Sequence, residues 1–470
     1  MVLARPELLR RLDERIRTAL ARARRTGATV LASTTALLDG DVDPVATVAV
    51  SRSAGDDWFS FEQCDRDGYA VAGLGCVHAL VASGDERLAD VSRRWRRLCA
   101  GAVADPVGDP AGSGLTAVGG FAFDGQGGHS PVWEGFSPAS LIVPAISLAR
   151  RHGRTALTVT VSVSADDTAE GVLNPALSWL TALRTGKLPM LDPSPSGVYR
   201  VHSPMPPAHY EHAVGAAVIR IREGGLDKVV LARELEAHAP RAHDPAAIMG
   251  VLRQEFPSCY VFAVGRGEAT FLAASPELLV RREGQRASTV ALAGSIGRSA
   301  DPAVDDHLGE RLLRSDKDRE ENAIVARAIA RVLRPHSVWV AAAPEPAVIK
   351  VANIQHLATP IRAQLASPRD ALELAGLLHP TPAVGGDPRA RAVELIPALE
   401  GFDRGWYAGG VGWTDSTGDG EFCVSLRCAL LRGPMARLYA GCGIVRDSDP
   451  AGELAETEIK FGALLPLLAG

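Results

Sequence analysis

Two helical stretches carry carboxylates in line with their own apolar residues, and any fold the chain adopts must find a place for those acids. In the first, Asp318, Glu321, Val325, Ala328 and Val332 follow steps of three and four residues. At about 3.6 residues per turn that is a single stripe. In the second, Glu453, Glu456, Lys460, Ala463 and Leu467 repeat the arrangement. The apolar part of each stripe should face a core and so carries the acids inward, where a carboxylate is unfavourable unless paired or bound to a cation. Two inward pairs make a candidate oxygen-ligand site for Mg²⁺, which takes one or two carboxylates, keeps waters and leaves room for an anionic substrate. The other reading is a pair of solvated helix starts, where acids favour the macrodipole.

The rest of the composition suits a globular enzyme. A chain of 470 residues with 46% hydrophobic and 22% charged residues can bury a large core, as one composite domain or two to three ordinary ones. With a net charge of −5 and no long basic run, no nucleic-acid partner is expected. The most basic stretch, Arg5 to Arg25, repeats Leu8, Leu9, Leu12, Ile16 and Leu20 at helical spacing and reads as a surface helix. Neither a signal-peptide core nor a membrane-length apolar run is seen, so no membrane association is expected. Seven cysteines, an odd number without a CxxC pair, point to reduced thiols and a cytoplasmic location.

In the first two hundred residues, Trp58 to Phe61 and Leu157 to Val161 read as strands. Gly119-Gly120-Phe121-Ala122-Phe123-Asp124 lacks the spacing of a dinucleotide fingerprint and reads as turns and bulges. A Pro-rich connector spans Lys187 to Pro207. Beyond it come helices at Tyr210 to Arg222, stopped by Gly224-Gly225, near Pro245 to Phe256, and over Asp316 to Leu333. Hairpin-like strands occupy Tyr260 to Arg282 and Ser288 to Gly294, strand Lys228 to Leu235 precedes them, and strands Glu421 to Leu431 and Ala436 to Val445 follow, before a last helix from Glu453. Antiparallel strands between helices indicate α+β architecture.

Three strand positions carry chemistry. Lys228 shares a face with Val230 and Ala232 while Arg233 lies opposite, so one cation enters an interior; Lys228 is either a base or a strand-end lysine reaching water. Arg427 alternates with the small residues Cys423, Ser425 and Ala429, where it either reaches an anion or sits on an edge strand. Glu277, just after Pro276, is a proton donor or a surface acid. Gly441-Cys442-Gly443 offers backbone N–H groups to a carboxylate, or is a bulge.

Taken together and in order, these segments resemble the chorismate-utilising enzymes of menaquinone, siderophore, salicylate, tryptophan and folate biosynthesis. The similarity runs from about Pro204 to Leu465 and includes Lys228 to Arg233, Ser275 to Leu279, Leu292-Ala293-Gly294-Ser295 and Lys317 to Glu321. It continues through His379-Pro380-Thr381-Pro382-Ala383, Gly412-Trp413, Leu426-Arg427-Cys428, Gly441 to Val445, and Glu453 to Thr457 with Lys460. Gly119 to Phe123 and Trp133 to Phe136 resemble the N-terminal region of the isochorismate-forming members. The resemblance implies a two-layer antiparallel sandwich flanked by helices, with residues 1–200 contributing to it and residues 205–470 forming the chorismate-binding catalytic region. It further implies Lys228 as the base that activates water at C2, Glu277 as the acid that protonates the leaving C4 hydroxyl, and Glu321 and Glu456 as Mg²⁺ ligands, with Asp318 and Glu453 as secondary partners. Gly294, Arg427, Gly441 and Lys460 would hold the substrate carboxylates, and His379 and Ala383 would lie near the ring.

Within the family, the ammonia-using members resemble this chain but carry glutamine in place of Lys228, and a nucleophilic lysine of others stands where this chain has Ala293. Salicylate-forming members tend to carry threonine at the position of Ala383. The resemblance therefore implies an isomerase making isochorismate and acting as a monomer. A salicylate synthase is the second reading, and a catalytically silent chorismate-binding subunit the third.

Overall fold

The computed structural model describes residues 6–192, 196–351 and 354–469. Residues 193–195 of the expected connector and Arg5 of the expected N-terminal helix lie outside the described residues.

Strands with one greasy face must cover it, and here two sheets cover each other. Among the described residues the first sheet has twelve strands. From edge to edge they are Val30–Leu37, Arg154–Val163, Ile146–Arg151, Tyr69–Leu74, Gly55–Gln63 and Tyr260–Gly267, then Ala269–Ser275, Cys428–Arg432, Met435–Ile444, Lys228–His238 and Gly386–Asp387. Arg200–His202 adds onto Lys228–His238. The second sheet has ten, running Ser337–Ala342, Ile354–Leu365, Arg286–Gly297, Leu278–Glu283, Gly420–Val424, Gly410–Asp415, Thr116–Phe121, Ala139–Val143 and His78–Ala82, with Ala347–Val351 beside Ile354–Leu365. The ladders are antiparallel. In both sheets the strands from before residue 164 lie side by side at one end and those from after residue 227 at the other, joined where Gly55–Gln63 pairs with Tyr260–Gly267 and where Thr116–Phe121 pairs with Gly410–Asp415.

Between the sheets lies an aromatic interior. Phe271 is fully buried, with ring centroids of Trp133, Phe136, Phe262 and Trp406 within 5.4–6.2 Å of its own. The outer face of the first sheet is covered by Pro6–Thr26, which turns in Leu8, Leu12, Ile16 and Leu20, and by Ala169–Ala182 and Pro245–Glu255. Asp316–Leu333 lies on the second sheet against Arg286–Gly297 and Ile354–Leu365, and starts where the Ser315 hydroxyl accepts the Asp318 N–H. Pro450–Phe461 packs on Met435–Ile444, and Pro207–Glu223 stops at Gly224 with φ +93°. The seven cysteines are all free. Among the described residues no helix is long and apolar enough to cross a membrane.

Three local expectations are corrected. Glu421 to Leu431 is not one strand: Gly420–Val424 belongs to the second sheet and Cys428–Arg432 to the first, and the chain crosses between them at Ser425-Leu426-Arg427. Arg427 takes φ +47° there, a left-handed conformation that ends the alternation. Gly119-Gly120-Phe121 is strand rather than turn, and its glycines admit neighbouring backbone: a Cβ on Gly119 would lie 2.2 Å from the Ser140 carbonyl oxygen. Tyr260 to Arg282 is a hairpin, Tyr260–Gly267 with Ala269–Ser275, followed by a strand of the other sheet.

Replacing Phe271 with alanine is expected to cost about 3–5 kcal/mol of folding stability, since the rings around it cannot collapse into the void. Urea unfolding monitored by tryptophan fluorescence measures this as a lowered midpoint.

Candidate active site

The ribbon formed by Ala269–Ser275 with Cys428–Arg432 in one sheet, and by Leu278–Glu283 with Gly420–Val424 in the other, changes sheets in both strands at the same level. The two crossings are bonded together. Val424 N–H donates to the Glu277 carbonyl at 3.0 Å, Ala274 N–H donates to the Arg427 carbonyl at 3.1 Å, and Ser275 Oγ donates to the Val424 carbonyl at 2.5 Å. The sheets part here, and a cavity of about 590 Å³ opens beside Pro276, Glu277, Leu426 and Arg427.

Lys228 enters the cavity from the first sheet, on the same strand face as Val230, and is 1% exposed. Its Nζ donates to Glu321 Oε1 at 2.7 Å. Glu321 comes from the helix lying on the second sheet, so the pair bridges the layers. Gly443, opposite Val230 in the sheet, makes room for it: a Cβ there would sit 2.6 Å from Glu321 Oε1 and 2.7 Å from Lys228 Cε. Arg233, on the other strand face, is also buried but donates to Thr457 and Glu458 away from the cavity.

Glu277 is buried, and burial pushes its carboxyl up to about 8 against the pull of the Lys228 and Arg427 charges. It is therefore mostly protonated at neutral pH. Arg427 is fixed through Nη2–H, which donates to His356 Nε2 at 2.7 Å. Burial, with the Arg427 and Lys460 charges, pushes the His356 imidazole well down, so it stays neutral and can accept that bond. Arg427 Nη1 is buried and, among the described residues, has no partner. An orphan guanidinium N–H costs about 1–3 kcal/mol unless an anion takes it, and this one lies on the cavity wall.

The carboxylates expected on apolar stripes do line the cavity: Asp318, Glu321, Glu453 and Glu456. Glu456 is about a third exposed, accepts from Ser295 Oγ at 2.9 Å and lies 2.8 Å from Lys460 Nζ. Burial raises its carboxyl, but Lys460 and Ser295 outweigh that and leave it below the usual value. Asp318 and Glu453 are pushed up, first by burial, with the Glu456 charge adding to both and Glu321 adding to Asp318. Carboxyls that repel one another in a half-enclosed wall are what a divalent cation relieves, and hard oxygen donors suit Mg²⁺. Among the described residues the tightest cluster here is Glu453, Glu456 and Cys442, while Glu321 is drawn off by Lys228. The Cys442 thiol is pushed up to about 12 by burial and bonds to the Glu453 carbonyl, so it contributes no thiolate.

Gly294, Ala383 and Gly441 line the same cavity, as does Lys460, whose Nζ donates to the Gly441 carbonyl at 2.8 Å. Gly294 sits at a bulge with φ +78°, where a Cβ would lie 2.9 Å from Asp318 Cβ. His379 is corrected: it does not line the cavity. Its Nε2 bonds to the Phe123 carbonyl at 2.8 Å, Phe121 and Phe123 meet its ring edge-on, and burial pushes it down to about 3. His356, Tyr407, Tyr439, Ser295 and Lys317 line the cavity without having been singled out from the sequence. Of these only Ser295 and Lys317 carried a signal, as neighbours of Gly294 and Asp318.

Residues 18–469 match the family described as chorismate binding enzyme. The chain is 37% identical to the salicylate biosynthesis isochorismate synthase of Pseudomonas aeruginosa over 429 residues, covering 91% of this chain and 89% of that one. It is 34% identical to isochorismate synthase MenF of Bacillus subtilis, with 85% of each covered. The solved structure of MenF, the menaquinone-specific isochorismate synthase from Escherichia coli, superposes with a TM-score of 0.78 at 30% identity, covering 96% of this chain and 99% of that one.

The Glu277 proton gives a direct check. The infrared band of a protonated carboxyl should titrate with a midpoint near 8 and vanish in Glu277→Gln. The folded chain holds this proton where an ordinary glutamate, near 4.5, has lost it, so its contribution to stability declines as pH rises from 4.5 toward 8. A midpoint near 4.5 would show the carboxyl to be solvated.

Proposed function

Because the chain belongs to the chorismate binding enzymes, we propose that it is an isochorismate synthase, an isomerase that adds water at C2 of chorismate and expels the C4 hydroxyl. The observation that carries this reading is one cavity holding an amine, a carboxyl that keeps its proton near neutral pH, and cations placed for substrate carboxylates. In its neutral form, with the ammonium proton given up beforehand, Lys228 Nζ takes a proton from water as the water oxygen bonds to C2; the ring double bonds shift, the C4–O bond breaks, and the Glu277 proton leaves with the departing hydroxyl as water. Water enters and water leaves, so the sum is an isomerisation. Paired proton transfer of this kind contributes about 10²–10⁴-fold per group. Arg427 Nη1, Lys460 and the backbone at Gly294 and Gly441 hold the carboxylates.

Glu321 and Glu456, with Asp318 and Glu453 beside them, are the groups that would hold Mg²⁺. Bound there, the ion supplies a positive charge that fixes one substrate carboxylate and thereby the ring. Every residue lining the cavity comes from Lys228 onward, which supports residues 205–470 as the catalytic region, with residues 1–200 completing the sheets.

The side chains present favour water as nucleophile. Lys228 occupies the base position, and Ala293, on the cavity wall, cannot form a covalent adduct. Ala383 on the same wall favours stopping at isochorismate over continuing to salicylate.

Incubation with chorismate and Mg²⁺ should yield isochorismate. Salicylate with pyruvate would assign the chain to the salicylate-forming members, anthranilate in the presence of ammonia would overturn the choice of water, and binding without turnover would leave a silent subunit. Lys228→Ala and Glu277→Gln are expected each to lower kcat by about 10²–10⁴-fold with the circular dichroism spectrum retained. For the wild type, kcat/KM should fall as pH rises through about 8, where Glu277 gives up its proton. Gly443→Ala should cut kcat at least about tenfold by displacing the Lys228–Glu321 pair, since each 1.4 kcal/mol lost from the transition state is tenfold. Its unfolding midpoint should barely move, because the added methyl meets the movable ends of side chains.

A further inference from the structure

At the far end of the Lys228–His238 strand, about 33 Å from Lys228 at 3.3 Å per residue, two imidazoles converge on one carboxylate oxygen. His202 stands directly across from Glu236 in the Arg200–His202 ladder, and His238 lies two residues beyond Glu236 on the same face. His202 Nε2 is 3.1 Å and His238 Nε2 is 3.4 Å from Glu236 Oε2, and the ligand atoms of the three side chains all lie within 4.8 Å of one another. The two rings stack, with centroids 5.6 Å apart and planes 18° apart.

We propose that His202, Glu236 and His238 form a second metal site, one for a borderline divalent ion of the zinc class rather than Mg²⁺. A tetrahedral ion with bonds of about 2.0–2.1 Å sets its ligands about 3.3–3.4 Å apart. The two imidazole-to-carboxylate distances already match that spacing. Two neutral imidazoles select Zn²⁺, Ni²⁺ or Cu²⁺ over Mg²⁺, which demands oxygen. The carboxylate is also held as a ligand needs to be. Arg437, opposite Glu236 on the other neighbouring strand, donates Nη2–H to Glu236 Oε1 and Nη1–H to Glu234 Oε2 at 2.9 Å. Glu236 Oε2 is left for the ion, and such outer contacts orient and strengthen a ligand. The two glutamates and Arg437 sum to one negative charge, which favours a dication. Three protein ligands leave a fourth position to water on the exposed side of His202. None of the three residues lines the cavity, and the ion's effect would be to clip Arg200–His202, a three-residue exposed edge strand, onto the sheet.

Untagged full-length chain is titrated with Zn²⁺ under saturating Mg²⁺, in competition with a chromophoric zinc chelator. The expected result is one Zn²⁺ per chain. His202→Ala and His238→Ala should each weaken it at least tenfold with turnover unchanged, while Glu456→Gln, which strips the cavity wall, keeps it. Zn²⁺ should raise the unfolding midpoint of the wild type and not that of His202→Ala. The proposal is overturned if the wild type takes up no Zn²⁺, if His202→Ala binds it as well as the wild type, or if binding is lost in Glu456→Gln instead.

Discussion

One two-stranded ribbon leaves one sheet and enters the other, and the cavity exists because both of its strands do so side by side. A continuous ribbon would have kept its side chains in strict alternation, half in the aromatic interior and half outside. The breaks at Ser275–Glu277 and Ser425–Arg427 release Glu277 and Arg427 from that alternation and aim them at one space. The bonds between the two crossings hold them together. Arg427 with φ +47° and Ala408 with φ +57°, whose N–H donates to the Ser425 carbonyl at 2.9 Å, are non-glycine residues in a disfavoured backbone region at this same place. Strain of this kind costs on the order of 1–3 kcal/mol per residue and persists only where surrounding structure enforces it.

Charge around the cavity is arranged by layer. The wall from Asp316–Leu333 and Pro450–Phe461 carries the four acids, and lysines 228, 317 and 460 each approach one of them. The crossing wall carries a guanidinium with a donor that none of the described residues takes up, and a carboxyl that burial keeps neutral. An anionic ligand thus meets cations and an uncharged acid on one side, and on the other a set of carboxylates that needs a dication before it can tolerate more negative charge. Neutral His356 adds to this by holding Arg427 without competing for the anion.

What could be read from the sequence follows from period. Asp318, Glu321, Glu453, Glu456 and Lys460 stand on helices whose apolar spacing fixes the inward face, and Lys228 on a strand whose alternation does the same; all line the cavity. The sequence puts Arg427 on one unbroken strand because Phe422 to Leu430 keeps a period of two in its side chains even where the backbone changes sheets. Tyr407 and His356 are brought in by neighbours distant in sequence, which no local pattern records. His379 follows Phe121 and Phe123 into the aromatic interior, a contact across more than two hundred residues. The resemblance supplied roles for Gly294, Ala383 and Gly441, positions where a small side chain leaves no periodic trace.

Lys228 belongs to the first sheet and Glu321 to a helix resting on the second; Glu456 lies over the first and Ser295 in the second. Both polar contacts therefore span the gap between the layers, and their lengths are set by how thickly that gap is filled. Trp133, Phe136, Phe262, Phe271 and Trp406 act as spacers between the layers, so the sandwich works as a calliper that sets the distance between the cavity's two walls. A slimmer or wider filling would alter the grip without touching a single reacting group, and a misplacement of about 1 Å can cost a hundredfold in rate. Neutral drift in those five rings is thus constrained by chemistry as well as by folding.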